Sequence, residues 1–272
     1  MKLLAFDTSS SRASIALGQD NDVMAEIHFE VGIAHSKELL VQIDRLLQLV
    51  NWSVQDLDAI AVGVGPGLFT GLRVGIATAQ GLAFAAGCPL IGLPSLEARA
   101  LSGPNGTSLL AVCMDARKKE LYTRLFKRSH LANPGEAEDQ ESCHPIPMGP
   151  ARLLSAEKLA KELKEQDEAV TIIGNGGTLY KEIFKEELAG RLSTPGPLFG
   201  QRLSGSALIS LTQREFPQQK ELSPWQIEPL YIRPSEAEWK IGPPEGGPPV
   251  KDRFQDDGTI LPASETDTPN NK

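Results

Sequence analysis

Histidine and cysteine are scarce in this chain. His28, His35, His130 and His144 form no H-x-x-x-H or H-E-x-x-H pair and have no cysteine at ligand spacing, so the sequence offers no zinc or iron site. Cys88, Cys113 and Cys143 are odd in number and lack a metal or redox spacing, which excludes a disulfide framework and fits a reducing, cytoplasmic setting. A G-x-S-x-G elbow is missing, and no cysteine has a histidine placed for a dyad, which removes the common acyl-transfer nucleophiles. Basic residues are also in short supply. With 27 Lys and Arg against 35 Asp and Glu, net charge −8 and a pI near 5.2, the composition argues against autonomous binding to tRNA or DNA, and a nucleic-acid role, of whichever kind, would need a basic partner and be indirect. Long hydrophobic runs are absent too. No charge occurs from Val74 to Leu96, but Pro89 and Pro94 interrupt that run and it is rich in Gly, Ala and Thr, so it does not read as a membrane span. The opening MKLLAFDTSS turns polar too early for a signal peptide.

What the chain does have is concentrated in residues 57–87, LDAIAVGVGPGLFTGLRVGIATAQGLAFAAG. Asp58 to Val64 is short, apolar and bounded by glycines, which reads as a buried strand. Gly63, Gly65, Pro66 and Gly67 then make a tight turn, and Thr70 stands where an N-cap hydroxyl would start a helix. A glycine turn feeding a helix N-terminus aims backbone N–H groups at one point, so an anion-binding loop is one reading. The other is a tight connection that lets the helix pack close to the sheet, for Leu72 replaces the Walker lysine after Gly71 and no third dinucleotide glycine follows. In the helix, Leu72, Ile76, Ala79 and Ala83 fall on one side, suited to the sheet. The opposite side carries Arg73, its only charge, with the small or apolar Val74, Ala77, Thr78, Gly81 and Ala85, and something other than water should cover it.

Elsewhere, Lys2 to Phe6 ends in Asp7, Thr8 and Ser9, a carboxylate and hydroxyls just past a strand end that could hold Mg²⁺ or phosphate or simply form a turn. With no reactive role assigned to it, Asp7 should be replaceable by alanine without unfolding the chain. Two further strands complete a meander, and Ser36 can cap an amphipathic helix through residue 50. The second half repeats the theme: strand Leu109 to Met114, Asp115 at a turn, a returning strand, then GNGG at 174–177 as a second glycine turn into a helix. Ser204 or Ser206 can start a last helix. The organisation expected is residues 1–105 and 106–235 as two α/β units of mixed sheet with flanking helices. Residues 236–272, with six prolines and eight acids, form a disordered acidic tail.

Two successive meanders followed by alternating helices and strands, with Asp7 and Asp115 at matching turns, resemble the actin, Hsp70 and sugar-kinase superfamily. FDTSSSRASIAL (6–17), AHSKELL (34–40), AIAVGVGPGLFTGLRVGIATAQGLA (59–83), GLPSLEA (92–98), DARKKELY (115–122) and EPLYIR (228–233) resemble the bacterial TsaB, or YeaZ, family over about residues 1–233. That resemblance implies a non-catalytic subunit that pairs with TsaD, and through the complex with the ATPase TsaE. The complex transfers threonylcarbamoyl to the adenosine next to the anticodon of tRNAs reading ANN codons. It implies that helices 36–50 and 70–86 pack against the same pair from TsaD or from a second copy, which puts Arg73, Val74, Ala77, Thr78, Gly81 and Ala85 at the interface. It implies no catalytic residue, metal or cofactor of the chain's own, though it admits a nucleotide at the shared interface. Asp7, Thr8, Ser9, Gly65, Gly67 and Thr70 would be remnants of phosphate loops, and Leu68, where the family usually has Ser, removes one hydroxyl. The alternatives are a phosphotransferase using the Asp7 and Gly65 loops, or a metallopeptidase-like relative.

Overall fold

The computed structural model describes residues 1–20, 22–30, 35–104, 108–128, 144–193, 195 and 203–233, with 35–37 as backbone alone. The acidic stretch 236–272, expected to be disordered, and His130 and Cys143 lie outside the described residues.

Strands β1 (Lys2–Asp7), β2 (Arg12–Gln19) and β3 (Asp22–Glu30) form the first meander, followed by α1 (His35–Leu49), β4 (Ala59–Gly65), α2 (Phe69–Ala86), β5 (Leu90–Pro94) and α3 (Ser95–Leu101). They build one sheet in the order β3-β2-β1-β4-β5, with β1 antiparallel to β2 and parallel to β4. The second half supplies β6 (Leu109–Asp115), β7 (Glu120–Lys127), β8 (Ile146–Pro147), β9 (Arg152–Ser155), α4 (Ala156–Glu165), β10 (Val170–Ile173), α5 (Asn175–Leu179), α6 (Lys181–Leu188) and β11 (Leu192–Ser193). Its sheet runs β11-β10-β6-β7-β8, and β9 also pairs β7. Read from the first strand of each half outward, the two orders are the same, so the duplication expected from the sequence is present in the topology.

The last helix, α7 (Gly205–Gln219), starts at Ser204, whose hydroxyl accepts from the Ala207 N–H. It does not stay with the second sheet. Leu208, Ile209 and Leu211 pack with Leu3, Ala5 and Ile91 beneath the first sheet, opposite the face covered by α1 and α2. Residues 106–235 therefore end on the lobe where the chain began.

Between the two sheets lies α3, whose residues Ser95 to Ala100 are all buried. Its apolar side chains divide: Ala98 joins the first core, while Leu96 and Ala100 join the second. Its polar side chains are the ties. Glu97 accepts from Arg124 of β7 at 2.8 Å and from Arg214 of α7 at 2.7 Å, so one buried carboxylate holds three elements. Buried charge of this kind is tolerated only when paired and hydrogen-bonded on both sides.

Candidate functional site

The turn after β4 is locked to the turn after β1. Asp7 is 1% exposed. Its Oδ1 accepts from the N–H and hydroxyl of Ser9 at 3.0 and 2.6 Å, and its Oδ2 from the Ser95 hydroxyl at 2.5 Å. Ser95 in turn accepts from the Gly65 N–H at 3.1 Å. Arg99 lies 3.7 Å from Asp7 and donates to Ser10 at 3.1 Å, and its burial pushes the guanidinium pKa down against the pull of Asp7.

The glycines explain how the two turns come so close. Gly63, Gly67, Gly71 and Gly75 recur every fourth residue, and a Cβ on each would fall 2.0–2.2 Å from an atom of Asp7, Thr8 or Ser9. The Ser9 carbonyl accepts from Leu68 N–H at 2.7 Å, and the Thr8 hydroxyl donates to the Gly71 carbonyl at 2.8 Å. The positions suggested for a phosphate, Asp7, Thr8, Ser9, Gly65 and Gly67, are thus brought together, but around one another: protein atoms occupy the space against these glycines. Thr70 is not among them. The helix begins at Phe69 with Leu68 as its cap and no side-chain cap, so Thr70 lies exposed in the first turn, and the Ser9 carbonyl ties down the Leu68 N–H at the helix start. The burial and hydrogen bonds of Asp7 give alanine there a cost in stability that the sequence reading did not include.

On α2, Leu72, Ile76, Ala79 and Ala83 are buried against the sheet, as the 3.6-residue period requires. Arg73, Ala77, Gly81 and Ala85 are exposed, whereas Val74 and Thr78 are half-buried, with Val74 turned into the first core. The bare face is wider than the periodicity of one helix indicated. Phe84 is 74% exposed, Leu49 of α1 72%, and Trp225 61%, and Leu40, Val41 and Phe69 are also exposed. Gln80 donates to the carbonyls of Pro224 and Ile227 at 3.2 and 3.3 Å, which fixes the 224–226 turn against α2 and sets the Trp225 ring 6.3 Å from Phe84. Phe84 was legible as the next position after Gly81 on that side; Trp225 carried no periodic signal.

Arg73, the one charge on α2, is held from within the chain. Its guanidinium sits 4.0 Å above the Phe69 ring and its Nε donates to the Tyr231 hydroxyl at 2.9 Å, while Phe69 and Tyr231 stack at 5.3 Å. The surface therefore shows an arginine plane clasped by aromatic rings rather than a mobile charge.

Reactive groups are not gathered here. Burial raises Cys88 to about 11 and Cys113 to about 12, so neither is a thiolate at neutral pH. His28 meets Ser14 at 3.0 Å and has Glu26 3.5 Å away. Among the described residues no three His, Cys, Asp or Glu side chains cluster as metal ligands, and no helix is long and apolar enough to cross a membrane.

Two lobes with duplicated topology, with a glycine turn filled by the chain's own atoms, define a member of the actin and sugar-kinase fold class. Residues 29–218 match the family model described as "TsaD: tRNA N6-adenosine threonylcarbamoyltransferase". The chain is 30% identical to the tRNA threonylcarbamoyladenosine biosynthesis protein TsaB of Bacillus subtilis, over 69% of this chain and 77% of that one. It is 29% identical to TsaB of Haemophilus influenzae, over 88% and 96%. A solved structure of YeaZ from Pseudomonas aeruginosa superposes with a TM-score of 0.65 at 26% identity, covering 85% of this chain and 99% of the other. The chain belongs to the TsaB (YeaZ) family.

Proposed function

We propose that this chain is a non-catalytic subunit that docks a TsaD protein through the outer face of α1 and α2. The complex so formed transfers threonylcarbamoyl to the adenosine beside the anticodon of tRNAs reading ANN codons. The observation that carries this reading is the exposed side of α2, where Phe84 stands 6.3 Å from Trp225 beside the exposed Ala77, Gly81 and Ala85, together with the exposed Leu49 of α1. Large aromatic side chains standing among small residues suit the centre of a protein interface, where an aromatic anchor enters a pocket and the small residues let a second helix approach. The match of residues 29–218 to the TsaD family supports a partner of the same fold, since two related helix pairs can pack face to face.

A phosphotransferase built on Asp7 and Gly65 has less support, because the glycine turn is filled by Thr8 and Ser9. A nucleotide, if the complex takes one, belongs at the surface shared with TsaD. TsaE joins through the complex, and a second copy of this chain competes for the same helices.

The test is co-expression of this chain with TsaD of the same organism and size-exclusion chromatography. Co-elution as one species that carries threonylcarbamoyl transfer only when both chains are present is the expected result. Separate elution at micromolar concentrations contradicts the proposal.

A further inference from the structure

The turn between β6 and β7 has an unusual backbone. Arg117, Lys118 and Lys119 have φ of 62°, 54° and 63°, three consecutive residues with side chains in the left-handed region. Gly or Asn would adopt that conformation with less strain. Here every position carries a cation, and all three are exposed. The turn is held from below: the Arg117 N–H donates to Asp115 Oδ1 at 2.9 Å, Ala116 N–H to the Glu120 carbonyl at 2.9 Å, and Arg233 Nη1 to the Ala116 carbonyl at 2.6 Å. A left-handed turn fans successive side chains outward, so the three charges leave one tip in different directions. Arg117 Nη1 also lies 3.6 Å from Asp115 Oδ2 at the base of the turn.

The charge of the chain is unevenly placed. Residues 1–104 carry six Lys and Arg against ten Asp and Glu, whereas the described residues of the second lobe, 109–128 and 144–193, carry thirteen against ten. Residues 106–193 as a whole carry thirteen against fourteen, so the second lobe is near neutral and its positive charge is concentrated locally, at the Arg117–Lys119 tip. No apolar side chain stands in the tip, so burial of hydrocarbon cannot drive its recognition; closely spaced phosphates can.

We infer that the Arg117–Lys119 turn is an RNA-backbone contact through which this chain touches the tRNA directly when assembled with TsaD. The inference rests on the subunit reading above and replaces the purely indirect contact that net charge alone suggests. The contact carries no sequence information; it positions the RNA and adds affinity that salt removes.

The test uses the full chain in complex with TsaD and a fluorescein-labelled tRNA transcript with an ANN anticodon, followed by anisotropy across a KCl series. The variant is Arg117→Gln/Lys118→Gln/Lys119→Gln, with Lys118→Arg/Lys119→Arg as the charge-keeping control. With co-elution intact, the Gln variant should weaken tRNA binding by about tenfold or more at low salt and reduce the slope of log K against log[KCl] by about two; the Arg variant should keep both. Unchanged affinity and slope in a complex that still co-elutes overturns this inference and leaves the subunit reading standing. Loss of co-elution by a folded Gln variant overturns it too, since the turn then meets the protein partner. Failure of the unaltered chain to co-elute sinks the subunit reading and this inference with it. Should the Gln variant unfold by circular dichroism, Lys118→Gln/Lys119→Gln answers the same question with a slope change of one to two, and no change overturns the inference.

Discussion

A Cβ placed on Gly67 would fall 2.2 Å from the carbonyl oxygen of Ser9, the same oxygen that accepts from Leu68 N–H at 2.7 Å. The obstacle is backbone on both sides, so neither partner can rotate away. Gly67→Ala should therefore cost about 1–3 kcal/mol, and at about 2–4 °C per kcal/mol the midpoint should drop by several degrees. Gly81 of α2 supplies the contrast, for a Cβ there meets nothing within 4 Å. Gly81→Ala should raise stability by about 0.5–1 kcal/mol through helix propensity and a less free unfolded chain. Thermal melts of the two variants should move in opposite directions; equal shifts would show that the two turns are not interlocked.

Asp7 is expected to be a structural carboxylate. Removing it leaves Arg99, 5% exposed, without its nearest anion and takes an acceptor from both Ser9 and Ser95. Breaking a buried pair by deleting one partner costs about 3–5 kcal/mol, so Asp7→Ala should lose a large share of the chain's stability. Urea unfolding of the purified chain measures this. A variant with an unchanged midpoint but no transfer activity in the reconstituted complex would instead make Asp7 a functional group.

Glu97 should matter as much, for a different reason. It receives Arg124 and Arg214 on its two oxygens, so Glu97→Ala takes the shared carboxylate from buried Arg124 and from Arg214, which keeps Glu215 at 3.1 Å. The expected cost is again about 3–5 kcal/mol. Loss of the α3 tie should also separate the unfolding of the two lobes, visible as a second transition in calorimetry. A single transition at the unaltered temperature contradicts the view of α3 as the hub.

Phe84 and Trp225 stand free enough that truncating them should leave the monomer intact. Phe84→Ser with Trp225→Ser is expected to change stability by about 0.5 kcal/mol or less per site while weakening association with TsaD at least tenfold. Calorimetric titration of the variant against TsaD decides it, and an unaltered affinity would move the interface away from the C-terminal end of α2.

What the sequence disclosed and what it withheld follow the range of the interactions involved. The α2 stripe of Leu72, Ile76, Ala79 and Ala83 was readable because one helix repeats it every turn, and the twin meanders because Asp7 and Asp115 close matching turns. Thr70 was misread as a cap because the group that meets the helix start is the Ser9 carbonyl, some sixty residues earlier in the chain. The Asp7–Arg99 pair and the Glu97 clamp join elements far apart in sequence, so no spacing announces them. GNGG at 174–177 opens two short helices broken at Tyr180 rather than one. The contacts of the 228–233 run are equally long-range: Leu230 N–H reaches the Val64 carbonyl at 2.7 Å, and Tyr231 and Arg233 bond Arg73 and Ala116.

The most direct test of the central claim is Ala77→Glu combined with Ala85→Glu, measured by co-elution with TsaD beside a circular dichroism melt. Both positions are exposed on α2, so in the free chain the new carboxylates reach water and should cost at most about 1 kcal/mol. Against a partner each would be buried among small apolar residues without a counter-charge, at several kcal/mol apiece, which offsets much of the roughly 8 kcal/mol of a micromolar complex. The expected result is a chain that melts like the unaltered one and no longer co-elutes with TsaD or with itself. A folded double variant that still co-elutes with TsaD would contradict the claim that the face of α1 and α2 is where this chain meets its partner.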